Sequence, residues 1–81
     1  MLTDYINAAM RRAEYEDLGD EGWYAHVPDL TGLWANGAAR AEAEHELRNA
    51  LEDWILFGLV NGYPIPPLDG IDLLAAREHV A

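Results

Sequence analysis

The sequence predicts an α+β fold in which a small antiparallel sheet of three to four strands packs on one long helix, with an extra short helix at the N-terminus. Two observations lead to this prediction. Short strand-forming runs separated by turn residues fill residues 13–36, and residues 39–60 repeat apolar side chains at helical spacing. With 81 residues, the chain is expected to form one domain over 1–81.

The N-terminal helix is expected within residues 1–12. Thr3 can cap the helix and Asp4 suits its positive first turn, while Arg11 and Arg12 favour its C-terminal end. A helix this short is marginal alone, so we expect it to pack on the rest of the domain.

Three strands are expected within residues 13–36. Residues 13–18 and 23–27 flank a polar loop bounded by glycines, which predicts a β-hairpin. Strand alternation places Glu14 and Glu16 on one face and Tyr15 on the other. Residues 28–32, Pro-Asp-Leu-Thr-Gly, have the composition of a turn, and residues 33–36 then form the third strand.

The main helix over residues 39–60 is the clearest element of the sequence. Its apolar stripe consists of Ala43, Leu47, Ala50, Leu51, Trp54, Ile55 and Leu59. The start lacks a good N-cap hydroxyl, which leaves Asn36 as a candidate cap, and Asn61-Gly62 ends the helix. Residues 61–70 are proline-rich and expected to be extended, and residues 71–81 fit either a short strand or a helical tail.

The chain is strongly acidic, with fifteen acidic residues, five basic residues and a net charge of −10. Such a surface repels nucleic-acid backbones, so we expect no direct nucleic-acid binding. It attracts a basic partner, although acidity also serves solubility alone. Three tryptophans and four tyrosines either fill the core or supply the interface of a homo-oligomer.

Localisation is expected to be cytoplasmic. The chain has no cysteine, and no basic start followed by an apolar run stands at its N-terminus. The longest apolar run, residues 54–60, is far shorter than the roughly 20 residues that span a membrane, so no membrane contact is expected.

Catalysis is not expected. The sequence lacks serine, cysteine and lysine, and no glycine-rich phosphate loop precedes a helix. The best metal candidates are Glu42 with His45 on the polar face of the main helix, and His26 with Asp29; each offers too few ligands. We therefore predict no catalytic residues, no metal and no cofactor.

Three features in order give the chain a resemblance to a known family. They are the run GWYAHVPDLTG at residues 22–32, the long helix that follows, and the ending GLVNGYPIPP at residues 58–67. Together they resemble HicB-like antitoxins over roughly residues 13–68. The resemblance implies a truncated RNase H-like β-β-β-α-β fold and, for many members, neutralisation of HicA toxins, which are small basic mRNA interferases.

The chain departs from the family pattern in its additional N-terminal helix and in its C-terminal part. Only fourteen residues follow Pro67, too few for the DNA-binding module that many members carry. The chain therefore resembles the stand-alone HicB-like proteins, some of which have no evident toxin partner. Two functions follow as hypotheses: an antitoxin-like module that binds a HicA-like toxin, or a stand-alone homo-oligomer, dimer or tetramer, of other role.

A basic toxin would be expected to dock on exposed acids and partly buried aromatic side chains. The predicted interface consists of Glu14, Glu16, Asp17, Tyr24, His26 and Asp29.

Overall fold

A three-stranded antiparallel sheet with one long helix across it forms the centre of the fold. The structure is a computed structural model, and it describes residues 1–74. Its elements are α1 (Leu2–Arg11), β1 (Glu14–Asp17), a 3₁₀ turn (Gly19–Glu21), β2 (Trp23–His26), β3 (Trp34–Gly37) and α2 (Arg40–Asn61). The strands lie in the order β1-β2-β3. The predicted α+β fold class, with a short first helix and a long second helix, is confirmed.

The register of the sheet separates its two faces. Tyr15 of β1 lies opposite Ala25 of β2, which lies opposite Ala35 of β3. Ala25 and Ala35 are buried, and α2 packs against both of their strands. Because these side chains are small, the helix can approach the sheet closely. The row of Tyr15, Ala25 and Ala35 therefore defines the inner face.

The core lies between the inner face and the two helices. α2 contributes Ala43, Leu47, Leu51 and Ile55, all buried, as its predicted stripe requires. Ala50, Trp54 and Leu59 are partly buried and pack against the same core. Each buried Leu or Ile contributes roughly 1.5–3 kcal/mol of hydrophobic stabilisation.

Pro28 and Gly32, between β2 and β3, belong to a compact turn whose apolar side chains face the core. The backbone N–H of Leu30 donates to the carbonyl of Val27 at 3.0 Å, and that of Leu33 donates to Leu30 at 3.2 Å. The side chains of all three residues are buried. Gly32, with φ of 86°, supplies the positive φ that the turn requires.

The start of α2 differs from the prediction that Asn36 caps it. The N-cap is Ala39, which makes no side-chain capping bond, and Asn36 lies inside β3. Glu42 compensates, because its carboxylate accepts from the backbone N–H of Ala38 at 3.2 Å. The bond resembles the glutamate half of a capping box, but it reaches one residue beyond the N-cap and the usual hydroxyl is absent.

α1 also begins differently from the prediction. Thr3 is not the cap, since Met1 holds that position and Thr3 lies in the first turn. The buried side chains of α1 are Tyr5, Ile6, Ala8 and Ala9. Tyr5 can be fully buried because its hydroxyl donates to the carbonyl oxygen of Pro66 at 2.6 Å.

The proline-rich segment returns across the ends of both helices. Gly62 closes α2 in the left-handed region, and the N–H of Tyr63 donates to the carbonyl of Gly58 at 2.9 Å. Ile65 and Leu68 then enter the core. Within residues 1–74 no fourth strand joins the sheet, and Leu68 forms an isolated bridge with Ile71. Most of the predicted terminal strand or tail, residues 75–81, lies outside the described residues.

Replacing Tyr5 by phenylalanine is expected to remove a stability change at alkaline pH. Burial, followed by the charges of Asp29 and Asp72, raises the pKa of Tyr5 from 10.0 to about 12. Because the folded pKa is raised, this contribution is complete below pH 10 and is lost as the pH rises toward 12. The stability of the wild type relative to Tyr5→Phe should fall by about 2 kcal/mol in this window.

Urea unfolding at a series of alkaline pH values measures this difference. At neutral pH, Tyr5→Phe should cost about 1 kcal/mol through the lost hydrogen bond. Tyr63→Phe is the control, because Tyr63 is 53% exposed. Equal alkaline losses in the wild type and Tyr5→Phe would contradict the assignment to Tyr5.

Candidate functional site

The face of the sheet opposite α2 is a candidate binding surface. Its outward side chains alternate with those of the inner face. We define the outer sheet face as Glu14 and Glu16 of β1, Tyr24 and His26 of β2, and Trp34 and Asn36 of β3. In the described part of the chain these side chains are exposed or half-buried. An antiparallel sheet can leave one face open in this way.

Three aromatic rings contact one another across the outer sheet face; we call Tyr24, His26 and Trp34 the aromatic ledge. Tyr24 and Trp34 stack with centroids 6.2 Å apart and ring planes 26° apart. His26 lies 5.4 Å from Tyr24, with its ring tilted by 44°. Trp34 is 54% exposed, which is unusual for the largest apolar side chain. The sheet therefore presents a rigid aromatic surface to solvent.

Carboxylates border this ledge along β1. Glu14 faces His26 across the strand pair, with Oε1 of Glu14 3.3 Å from Nε2 of His26. Glu16 lies opposite Tyr24 in the same ladder. Such a surface can bind lysine or arginine side chains, because carboxylates accept charge-assisted hydrogen bonds and aromatic faces make cation–π contacts.

The structure brings together four of the six predicted site residues. Glu14, Glu16, Tyr24 and His26 share the outer sheet face, as strand alternation requires. Asp17 lies at the end of β1, where its carboxylate accepts from the N–H of Gly19 at 2.9 Å. Its role in the structure is to shape the hairpin loop.

Asp29, the sixth predicted residue, lies away from this face in a network of charges. The guanidinium of Arg12 forms ion pairs with two carboxylates, that of Asp29 at an N···O distance of 3.1 Å and that of Asp69 at 2.5 Å. Hydrogen bonds from Arg12 and Arg11 hold the pKa of Asp69 below its usual value. The network ties the end of α1 to the turn after β2 and to the C-terminal turn, so it is structural in character.

Trp34 and Asn36 are the two members of the outer sheet face that the predicted interface did not include. The sequence signal for an outward Trp34 was the strand run Leu33-Trp34-Ala35-Asn36, in which successive side chains point to opposite faces of the sheet. Leu33 and Ala35 are buried, and Trp34 and Asn36 are therefore turned outward. The exposure of Trp34 was not predicted, because a large apolar side chain in a predicted strand is normally expected to pack in the core.

A second exposed surface lies at the C-terminal end of α2. We define the apolar end as Leu56, Phe57, Val60 and Tyr63, which are 62%, 59%, 74% and 53% exposed. The rings of Phe57 and Tyr63 lie 5.5 Å apart. Patches of this kind on small proteins commonly mark interaction sites.

Residues 1–74 contain neither a cluster of metal ligands nor a helix that could span a membrane. In this range no three His, Cys, Asp or Glu side chains are placed so that they could hold a metal ion. No helix over the same residues is long and apolar enough to cross a membrane.

Comparisons with known proteins agree with this fold. Residues 4–66 match the model of the UPF0150-like family, which is related to the HicB proteins. The crystal structure of TTHA0281 from Thermus thermophilus is similar at 48% identity, with a TM-score of 0.80, over 86% of this chain and 88% of that one. A search of curated proteins finds no match. With a family model matching well over half of its length and a relative nearly half identical, the chain belongs to the UPF0150-like family.

Proposed function

We propose that this protein is an antitoxin-like binding module that neutralises a small basic mRNA interferase of the HicA type by forming a complex with it. The protein contributes no catalytic chemistry of its own. One observation carries the proposal: the outer sheet face, which no element within residues 1–74 covers, combines aromatic rings with carboxylates in a chain of net charge −10. The relation of the UPF0150-like family to HicB supports the same conclusion.

The chemistry of the outer sheet face suits a basic protein surface. Glu14 and Glu16 supply carboxylates for arginine or lysine, and Tyr24 and Trp34 supply flat apolar area. The long-range field of the acidic chain steers such a partner toward it. An RNase that binds RNA through basic groups would lose its substrate-binding surface in the complex.

Co-expression with any small basic protein that is encoded beside this chain tests the proposal. We expect the two to copurify, and we expect addition of this protein to suppress RNA cleavage by the partner. The complex should weaken with rising salt, as contacts between charged surfaces do. Failure to copurify, or a gene neighbourhood without any small basic protein, would contradict the proposal.

A stand-alone homo-oligomer is the second candidate, and the apolar end of α2 favours it. This candidate needs no toxin. It differs from the first in requiring self-association in the absence of any other protein.

A further inference from the structure

We propose that the basic partner binds at the free edge of β1, where one of its extended segments adds to the sheet as a fourth strand antiparallel to β1. We call this side of β1, which faces away from β2, the β1 edge. The inference deepens the proposed function and rests on it for the basic character of the partner. It specifies which backbone groups pair and which side chains the bound segment carries.

The β1 edge carries backbone groups that are available for pairing. One step beyond the ladder of β1 and β2, the N–H of Leu18 donates to the carbonyl oxygen of Gly22 at 2.7 Å. Hydrogen-bonded and non-hydrogen-bonded pairs alternate along an antiparallel ladder, so Tyr15 and Asp17 belong to the non-hydrogen-bonded pairs. Their N–H and C=O groups therefore point to the β1 edge, where no backbone group within residues 1–74 bonds to them.

The side chains beside this edge suit a basic segment. Three of the four residues of β1 are acidic, and Glu14 and Glu16 are exposed on the outer sheet face. In an added antiparallel strand, the residues opposite these two glutamates form non-hydrogen-bonded pairs with them, the positions at which side chains come closest. Lysine or arginine at these positions forms cross-strand pairs of opposite charge, which stabilise a sheet.

Arg40 disfavours a basic side chain on the other face of the bound segment. Its guanidinium lies 4.2 Å from the centre of the Tyr15 ring, on the inner face. A residue opposite Tyr15 faces this cation, so a lysine or arginine is repelled there, whereas an apolar side chain can pack beside the ring. The bound segment is therefore expected to alternate, with basic residues on the outer face and apolar residues on the inner face.

The charges also distinguish the β1 edge from the other edge of the sheet and a basic occupant from a second copy. β3, Trp34–Gly37, carries no charged residue, so its edge offers a basic segment no charge complementarity. Two copies of β1 placed side by side would bring carboxylates together, which destabilises such a pair. Charge on an edge strand thus opposes self-pairing, while it leaves the edge open to a strand of opposite charge.

Amide hydrogen exchange in the full chain measures the proposed pairing. The probe is an acetylated and amidated six-residue peptide in which arginine alternates with valine. We expect saturating peptide to slow exchange of the Tyr15 and Asp17 amides at least about tenfold, because their N–H groups become hydrogen-bonded. The amides of Trp34 and Asn36 face the opposite edge by the same alternation, so they are the internal control and should be unchanged.

Methylated peptides test whether backbone pairing, in addition to charge, holds the segment. The valine nitrogens face β1 in the proposed register, so N-methylation of the valines should abolish the slowing of exchange. The arginine nitrogens face away from β1, so a peptide methylated there is the matched control and should retain the effect. Glu14→Gln combined with Glu16→Gln should weaken binding of the unmethylated peptide at least about fivefold.

Equal effects of the two methylated peptides would overturn the proposal, and so would Tyr15 and Asp17 amides that already exchange slowly in the free protein. Slow exchange that appears only at high protein concentration would identify a second copy as the occupant and overturn it too. Because the peptide test needs no toxin, peptide binding without any copurifying basic protein supports the β1 edge and contradicts the proposed function alone. A copurified complex in which both amides still exchange rapidly contradicts the β1 edge alone.

Discussion

Replacing Gly37 by alanine is expected to destabilise the protein by about 3 kcal/mol or more, because a side chain there collides with the backbone of α2. A Cβ at Gly37 would lie 2.8 Å from the carbonyl carbon of Glu42 and 2.9 Å from Cα of Ala43, and still closer to the Ala43 nitrogen. These atoms belong to the first turn of the helix and cannot rotate away. The end of β3 and the start of α2 would have to separate.

Thermal and urea unfolding measure this effect. A domain of this size has a free energy of unfolding of about 4–12 kcal/mol, so a loss of about 3 kcal/mol is a large part of it. Because each kcal/mol lowers the melting temperature of such a domain by about 4–8 °C, Gly37→Ala should lower it by roughly 12–24 °C. Gly58→Ala is the matched control. Its Cβ would meet only side-chain atoms of Ile65, the nearest at 3.3 Å, and no backbone, while alanine improves helix propensity. Similar losses in the two variants would show that the close approach at Gly37 is not the cause.

The fold class could be predicted because its signals are local. The apolar stripe of α2 and the alternation of β1 and β2 depend on side chains a few residues apart. The signal for the C-terminal end of α2 was also local, because Gly62 follows the helix directly and adopts the left-handed conformation that ends it. By contrast, the cap at the start of α2 depended on Glu42 reaching back to Ala38. No hydroxyl was present at the expected position to signal it.

The burial of Tyr5 required knowledge of a partner far along the chain. Its hydroxyl bonds to Pro66, and the intervening residues are the whole sheet and helix. The exposure of Trp34 is likewise a tertiary fact, because no element within residues 1–74 covers the outer sheet face. Asp29 was predicted as an interface residue because its charge was visible, but its partner Arg12 was not. The direction of a side chain could therefore be predicted from the sequence only where strand alternation alone fixed it.

Trp34→Ala is expected to weaken binding of the basic partner by at least about 30-fold, which corresponds to roughly 2 kcal/mol or more. The indole is 54% exposed in the free protein and stacks on Tyr24, so its apolar area is available and already held in place. Little side-chain entropy is lost when such a group is buried by a partner. Its removal leaves the fold intact, because the indole lies on the outer sheet face and does not pack against α2.

The carboxylates should affect the same complex in a different way. Glu14→Gln combined with Glu16→Gln should slow association and flatten the salt dependence, because these groups steer and pair with basic side chains. Glu46→Gln combined with Asp53→Asn is the control, since it removes the same charge from exposed positions of α2. Surface plasmon resonance with the co-expressed basic protein separates the two rates. Equal losses from both pairs would mean that net charge alone attracts the partner, and an unchanged dissociation rate in Trp34→Ala would remove the aromatic ledge from the interface.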